Sequence, residues 1–414
     1  MKAILISIDT DCSEFLNLAD TANIEIVNTY VQKRRYSDPV SFIGKGKLEE
    51  IVECVKDDRP DLILVNGILK PIQHYNIEQS MKIECLDRTG LILKIFKLRA
   101  KTPEVKLQIE SARLKYELPL LKEWIHRSKT GEHPGFMAGG EYGINVYYDL
   151  IKRQSIKLSQ ELKKIEKDRN IKRNKRKKLG CKIVSLVGYT NAGKSTLFNL
   201  LTSNNVFVDD KLFSTLETTT RKIITSNKMP IILTDTIGFI GNMPSWLLES
   251  FQATLEEIHE SDCILWILDG ADDEDVIRKK YMVCKNIVNT EMGKIVPIVT
   301  KIDLISKETK AKRSEFIKEL FEQYPIMSSA RTNEGIDEII KTVMGLLIIP
   351  LCVVIELNSD SKSHNIISQL YSRITINNII YGDKIRLFAR CNNEDIKTIK
   401  SICKGIKYEI EIER

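Results

Sequence analysis

Residues Cys181–Thr202 read CKIVSLVGYTNAGKSTLFNLLT. Ile183, Val184, Leu186 and Val187 form a short, mostly β-branched apolar run, the signature of a buried strand. A loop bounded by glycines, Gly188 to Lys194, follows at once. Ser195 then opens a helix that carries Leu197, Leu200 and Leu201 on one side. Strand, loop and helix together are the context that the pattern G-x-x-x-x-G-K-[ST] requires to act as a phosphate-binding loop. Gly188 and Gly193 let the backbone wind tightly, so that successive N–H groups converge on phosphate oxygens at a helix N-terminus. Lys194 would reach the terminal phosphates, and the Ser195 hydroxyl would ligate Mg²⁺.

Downstream, the order of motifs narrows the ligand. Ser203–Arg221 is polar and rich in Thr. Lys222–Ser226 and Pro230–Thr234 then read as a hairpin around Asn227-Lys228, and the second strand delivers Asp235-Thr236-Ile237-Gly238, a D-x-x-G pattern. Such an Asp holds Mg²⁺ through water, and the glycine backbone senses the γ-phosphate. Ser245–Glu260 is expected as one helix, followed by a strand at Cys263–Leu268. Strand Ile295–Val299 leads into Thr300-Lys301-Ile302-Asp303, a variant of the guanine-binding pattern N-K-x-D. A carboxylate there accepts from both N1 and N2 of guanine, and adenine lacks that donor pair. The Lys301 stem would lie along the base, and a backbone N–H in Ser328-Ser329-Ala330-Arg331 would contact guanine O6. Alone the K-x-D is weak; after a phosphate loop and a D-x-x-G, each following a strand, it is strong. Phe239 stands directly after Gly238, where related enzymes place a glutamine that orients the attacking water. Slow intrinsic hydrolysis, stimulated by a partner, is therefore expected.

Upstream, Lys2–Ile8, Glu25–Val31, Asp61–Val65 and Ile83–Leu86 read as short strands, separated by helical stretches near 12–22, 47–57 and 71–81. This alternation predicts a small parallel α/β unit. The segment Phe42-Ile43-Gly44-Lys45-Gly46-Lys47 is either a structural turn or an anion site, with the turn favoured. Thr102 and Pro103 make a good helix start, and Ile109, Ala112 and Tyr116 recur along that helix as a packing seam. Pro119 is expected to end or kink it. Thr130–Tyr142 (TGEHPGFMAGGEY) reads as a glycine-rich loop of a length that suggests binding. A second helix, from about Asn145 to Lys178, carries a basic stripe that includes Lys163, Lys164, Lys167, Arg169, Lys172, Arg173, Lys175, Arg176, Lys177 and Lys178. The stripe suits a polyanion such as RNA, or equally a solvated helical linker. From Leu351 the order is strand, helix, two strands across Tyr381-Gly382-Asp383, helix, strand, with Asn392 or Asn393 capping the second helix. That order matches a ferredoxin-like module.

The fold class is thus multi-domain α/β. The expected units are an α/β domain at 1–100, a helical hairpin at 101–179, a phosphate-loop domain at 180–350 and a ferredoxin-like domain at 351–414. The nine cysteines are scattered with no C-x-x-C pair, which argues against a zinc site or a disulfide framework and suits a reducing compartment. No apolar stretch approaches the roughly 20 residues of a membrane span. The expected location is cytoplasmic, either free or peripheral to a membrane, and the expected state is monomeric. The net charge of +7 is modest for this length, so its distribution along the stripe says more than its size.

These motifs resemble the HflX family of GTPases. The phosphate-loop motif is Gly188-Tyr189-Thr190-Asn191-Ala192-Gly193-Lys194-Ser195-Thr196, running on to Asn199. Leu212-Phe213-Ser214-Thr215-Leu216-Glu217, DTIGFI at 235–240, and the TKID and SAR motifs follow. FIGKGKLEE, LDRTGLILKIF and KLQIESARLKYELPLL resemble the family's N-terminal region, so the likeness covers nearly the whole chain. It implies a GTP-binding, GTP-hydrolysing protein that uses Mg²⁺ and associates with the large ribosomal subunit and its rRNA in splitting or rescuing ribosomes under stress. The alternative is a GTPase coupled to RNA remodelling or modification. Lys194, Thr215 and Gly238 are the expected catalytic residues. Ser195, Thr215 and Asp235 are the expected metal ligands, with Thr219 second to Thr215. Asn191 either helps to hold K⁺ beside the phosphates or simply braces the loop. There are three departures from the family pattern. Thr300 replaces an Asn and removes the amide that would brace the phosphate loop. Glu217-Thr218-Thr219 replaces D-P-T. The loop at Gly135–Tyr142 resembles archaeal rather than bacterial members.

Overall fold

The computed structural model describes residues 1–129, 140–178, 181–202, 213, 219–224, 230–288, 294–347, 351–358, 361–371, 374–391, 399–403 and 408–413. The first unit runs β1 (Lys2–Ser7), α1 (Ser13–Thr21), β2 (Glu25–Val31), α2 (Lys45–Asp58), β3 (Leu62–Asn66), α3 (Pro71–Met81), β4 (Cys85–Asp87) and α4 (Arg88–Arg99). Its four strands are all parallel, in the order β2-β1-β3-β4. Crossover helices on both faces let β1 and β3 carry continuous apolar runs, Ala3–Ile6 and Leu62–Val65, and Ile4, Leu5, Ile63 and Leu64 are fully buried. Helix α4 buries Leu91, Ile92, Leu93, Ile95 and Phe96, with only Lys94 partly exposed among them, because it lies between this sheet and its neighbours. Asp87 caps it, accepting from the Gly90 N–H at 2.8 Å.

Two long helices follow. Helix α5 (Pro103–Lys129) does not end at Pro119, the first of the two outcomes expected there, but continues through it. Proline removes one backbone hydrogen bond, and packing of α5 against α3, α4 and the next helix holds the helix across that gap. The second, α6 (Gly140–Lys178), spans 39 residues, about 58 Å. It begins at Gly140, so the last part of the expected glycine loop is helical; 130–139 lies outside the described residues.

The central domain continues with β5 (Lys182–Gly188), α7 (Lys194–Thr202), β6 (Thr219–Ile224), β7 (Pro230–Asp235), α8 (Ser245–Ser250), α9 (Gln252–His259), β8 (Cys263–Asp269), α10 (Glu274–Ile287), β9 (Lys294–Thr300), α11 (Lys307–Phe321), β10 (Ile326–Met327) and α12 (Ile336–Leu347). The sheet order is β10-β9-β8-β5-β7-β6, with only β6 antiparallel to its neighbour. The single helix expected over Ser245–Glu260 is broken at Phe251, whose non-helical backbone turns its ring into a buried seam. The expected turn at Asn227-Lys228 lies outside the described residues.

The last unit has β11 (Leu351–Asn358), α13 (Ser361–Tyr371), β12 (Thr375–Ile380), β13 (Lys384–Cys391) and β14 (Tyr408–Glu413). Its antiparallel order, β12-β13-β11-β14, is that of a ferredoxin-like sheet. Val353, Ile355, Leu357, Ile385 and Leu387 alternate onto the face that α13 covers. The expected cap at Asn392 or Asn393 lies outside the described residues. None of the described helices is long and apolar enough to cross a membrane.

Candidate nucleotide site

The loop after β5 sits where the central sheet changes winding direction, between β5's neighbours β7 and β8. This is the crevice in which open α/β sheets bind ligands. Gly188 is required by crowding, since a Cβ there would lie 2.4 Å from the Ile267 carbonyl oxygen of β8. Gly193 takes φ +88 and Asn191 φ +61, the left-handed turns that aim consecutive N–H groups into one hollow.

Lys194 is buried, with its Nζ donating to the Tyr189 carbonyl at 2.7 Å. Burial pushes its ammonium down to about 8, although the nearby Asp235 carboxylate opposes the shift. The Ser195 hydroxyl donates to Asp235 Oδ2 at 2.8 Å. Thr236 anchors the end of β7 by donating to the Leu186 carbonyl at 2.6 Å. Gly238 lies against the loop, and a Cβ on it would be 2.9 Å from Lys194 Nζ. Its successor Phe239 is buried, and its backbone pairs with the loop on both sides. Thr190 N–H donates to Phe239 O at 2.8 Å, and Phe239 N–H to Gly188 O at 3.2 Å.

The TKID segment enters from β9. The Thr300 hydroxyl is shared between the Ala192 carbonyl at 2.7 Å and the Leu268 carbonyl at 3.0 Å. Threonine thus reaches the phosphate loop without the missing amide. Lys301 adopts a left-handed backbone, φ +56, and its amine pairs with Asp269 at 2.7 Å. Asp269 carries no motif in the sequence; only its place at the end of β8 marks it. Ile302 opens a 3-10 turn and Asp303 follows, accepting from the Ser329 hydroxyl at 2.7 Å. That bond holds the Asp303 carboxyl below the usual carboxylate range. Ser329 Oγ in turn accepts from Arg331 N–H at 3.3 Å, which fixes Ala330 between them.

Of the other expected site residues, Phe213 is buried edge-on against Phe96 of α4, with ring centroids 4.7 Å apart. Ser214, Thr215, Leu216 and Glu217 lie outside the described residues, while Thr219 opens β6 opposite Asp235. The turn at Gly44 uses its N–H to bond Gln32 Oε1 at 2.7 Å. The basic stripe on α6 is not uniformly outward. Arg169 pairs with Glu104 at 2.8 Å, and Arg173, buried, with Glu256 of α9 at 3.3 Å. Lys163, Lys164 and Lys167 face solvent.

Comparison with known proteins gives three family matches in chain order. They are described as GTP-binding GTPase N-terminal over residues 9–97, GTP-binding GTPase Middle Region over 99–176, and 50S ribosome-binding GTPase over 183–301. The GTPase HflX of Thermococcus kodakarensis is 40% identical over 311 residues, covering 74% of this chain and 70% of that protein. The GTPase HflX of Methanocaldococcus jannaschii is 35% identical over 383 residues, covering 92% of each. Among solved structures, a GTP-binding protein from Sulfolobus solfataricus in complex with GDP is similar at 26% identity and TM-score 0.46, covering 84% of this chain and 99% of that one.

Proposed function

This chain belongs to the HflX family of GTPases, and on that premise we propose that it is an Mg²⁺-dependent, GTP-driven switch. In this reading its nucleotide state sets its binding to the large ribosomal subunit, in the cytoplasm, in splitting or rescue of stalled ribosomes. The observation that carries the nucleotide chemistry is the bond from the Thr300 hydroxyl to the Ala192 carbonyl, which docks the TKID segment bearing Asp303 against the phosphate loop. Asp303 is an acceptor held for the two guanine donors, and Lys194 with the loop N–H groups faces the phosphates.

The Ser195 hydroxyl and the Asp235 carboxylate, in direct contact, are hard oxygen donors of the kind that Mg²⁺ takes together with phosphate oxygens. Bound there, the ion would neutralise charge developing on the phosphates. Thr215 or Thr219 would add a third protein oxygen. Asn191, at the turn of the loop, would offer its side-chain oxygen to K⁺. Hydrolysis in K⁺ buffer is expected to exceed that in Na⁺ buffer, and equal rates would remove the K⁺ assignment.

Catalysis then lacks one part. Phe239 is apolar, buried and pinned to the loop backbone, so it cannot orient water. Slow turnover by the isolated protein is the consequence, and a partner must rearrange this segment. The exposed lysines of α6 offer that partner a polyanion-binding face. Sedimentation with large subunits in GDP and in a non-hydrolysable GTP analogue is the test. The analogue is expected to increase co-sedimentation, and ribosomes to stimulate hydrolysis on the order of tenfold or more. Binding that ignored the nucleotide would favour a GTPase coupled to RNA remodelling or modification instead.

A further inference from the structure

The N-terminal sheet domain touches the nucleotide machinery through a closed ring of four hydrogen bonds. The Tyr189 hydroxyl, from the second residue of the phosphate loop, donates to Glu14 Oε1 in the first turn of α1. The same hydroxyl accepts from the Gly241 N–H at 2.6 Å, three residues beyond the γ-phosphate-sensing Gly238. Gly241's carbonyl accepts from Arg88 Nε at 3.2 Å, and Arg88 Nη2 closes the ring on Glu14 Oε2 at 2.5 Å. Arg88 opens α4 and is almost wholly buried. Tyr189 keeps its proton, because burial and the neighbouring Glu14 carboxylate push its pKa up. Gly241 suits its place, since a Cβ there would crowd the Tyr189 oxygen at 3.1 Å.

An apolar seam runs alongside. Phe96 of α4 meets Phe213 and Phe251 edge-on, at 4.7 and 4.9 Å between centroids. Ile237, Ile240 and Leu247 belong to the same buried cluster. The segment after Gly238 is therefore held by one domain on one side and by the phosphate loop on the other.

We propose that Glu14 and Arg88 are positioning residues that set nucleotide preference, by fixing the Gly238–Gly241 segment in the place it occupies here. GDP has no γ-phosphate and makes no demand on that segment. GTP draws the Gly238 backbone toward its γ-phosphate and works against the ring. A ligand shifts an equilibrium only by its differential affinity for the two states, so the ring weakens GTP relative to GDP. By reciprocity, GTP loosens the N-terminal domain's hold on the segment.

The test is nucleotide titration of the full-length protein without ribosomes, so that it stands apart from the ribosome reading. Glu14→Ala is expected to tighten a non-hydrolysable GTP analogue about fivefold or more relative to GDP, with GDP affinity unchanged. Glu14→Gln keeps an acceptor for Tyr189 but loses the charge facing Arg88, and should fall between Glu14→Ala and the natural protein. Tyr189→Phe combined with Glu14→Ala is expected to be non-additive, as members of one network are. Arg88→Lys serves if Arg88→Ala fails to fold, and a thermal melt of each variant establishes folding. A folded Glu14→Ala protein whose analogue-to-GDP ratio is unchanged, or shifts toward GDP, overturns the proposal. A merely structural contact would lower the melting temperature and leave that ratio where it was.

Discussion

Asp303→Ala is expected to lower GTP affinity by on the order of a thousandfold while leaving the weak affinity for ATP unchanged. The expectation rests on what the carboxylate is made to do. The Ser329 hydroxyl bonds it at 2.7 Å and keeps it ionised well below neutral pH, so it is an acceptor with no donor of its own. Guanine presents two adjacent N–H donors to such a group, and their loss leaves donors of the bound base without partners. Asp303→Asn sharpens the test, because one half of an amide donates. It should reject guanine and gain affinity for xanthine nucleotides, whose C2 carries an acceptor. Fluorescence titration with labelled GTP, ATP and xanthosine triphosphate reads all three. A loss shared equally by GTP and ATP would show that Asp303 supports the loop rather than the base.

Lys194 makes both stability and nucleotide affinity depend on pH. Its ammonium is pushed down to about 8 by burial, against an unfolded value near 10.4. Between those two values the unfolded chain holds a proton that the native protein has released, so stability of the ligand-free protein rises with pH across that window. The sum is about 3 kcal/mol of destabilisation below pH 8. Nucleotide phosphates favour the charged amine and restore its proton. Above pH 8 binding must therefore take up a proton, and affinity should fall by up to about tenfold per pH unit. Calorimetry at pH 7 and 9, in buffers of different ionisation enthalpy, measures the uptake directly. Lys194→Met removes the buried charge. It should raise the melting temperature of the ligand-free protein, abolish hydrolysis and show no proton uptake. A variant that melts lower would mean that the bond to the Tyr189 carbonyl outweighs the cost of burying the amine.

Particular residues show where sequence reading reached and where it stopped. The loop from Gly188 to Ser195 was legible because its chemistry is local: two glycines, a lysine and a hydroxyl within one strand–turn–helix. Helix α4 gave no periodic signal, since Leu91, Ile92, Leu93, Ile95 and Phe96 are all buried and only Lys94 interrupts the apolar run. The break at Phe251 left no local mark either; the ring is drawn into a seam formed by Phe96, 155 positions earlier by number. Thr300 lacks the amide that would brace the loop, yet the close approach of β9 to Ala192 brings its hydroxyl within 2.7 Å of that carbonyl. The basic stripe on α6 could not reveal that Arg169 and Arg173 turn inward, because Glu104 and Glu256 come from other elements.

By itself the sequence determined the phosphate loop, the D-x-x-G and TKID patterns, the alternating strands and helices of the first unit and the strand order class of the last. Each depends on residues within a few positions of one another, where spacing alone dictates which groups share a face or a turn. Only the tertiary structure decided that Glu14, Arg88, Tyr189 and Gly241 close one ring. They are far apart in the chain and of ordinary type, and their meeting is fixed by how the N-terminal sheet packs on the central domain. Long-range contacts of this kind are set by the summed burial of Phe96, Phe213, Phe251 and their neighbours, a quantity that no local pattern encodes.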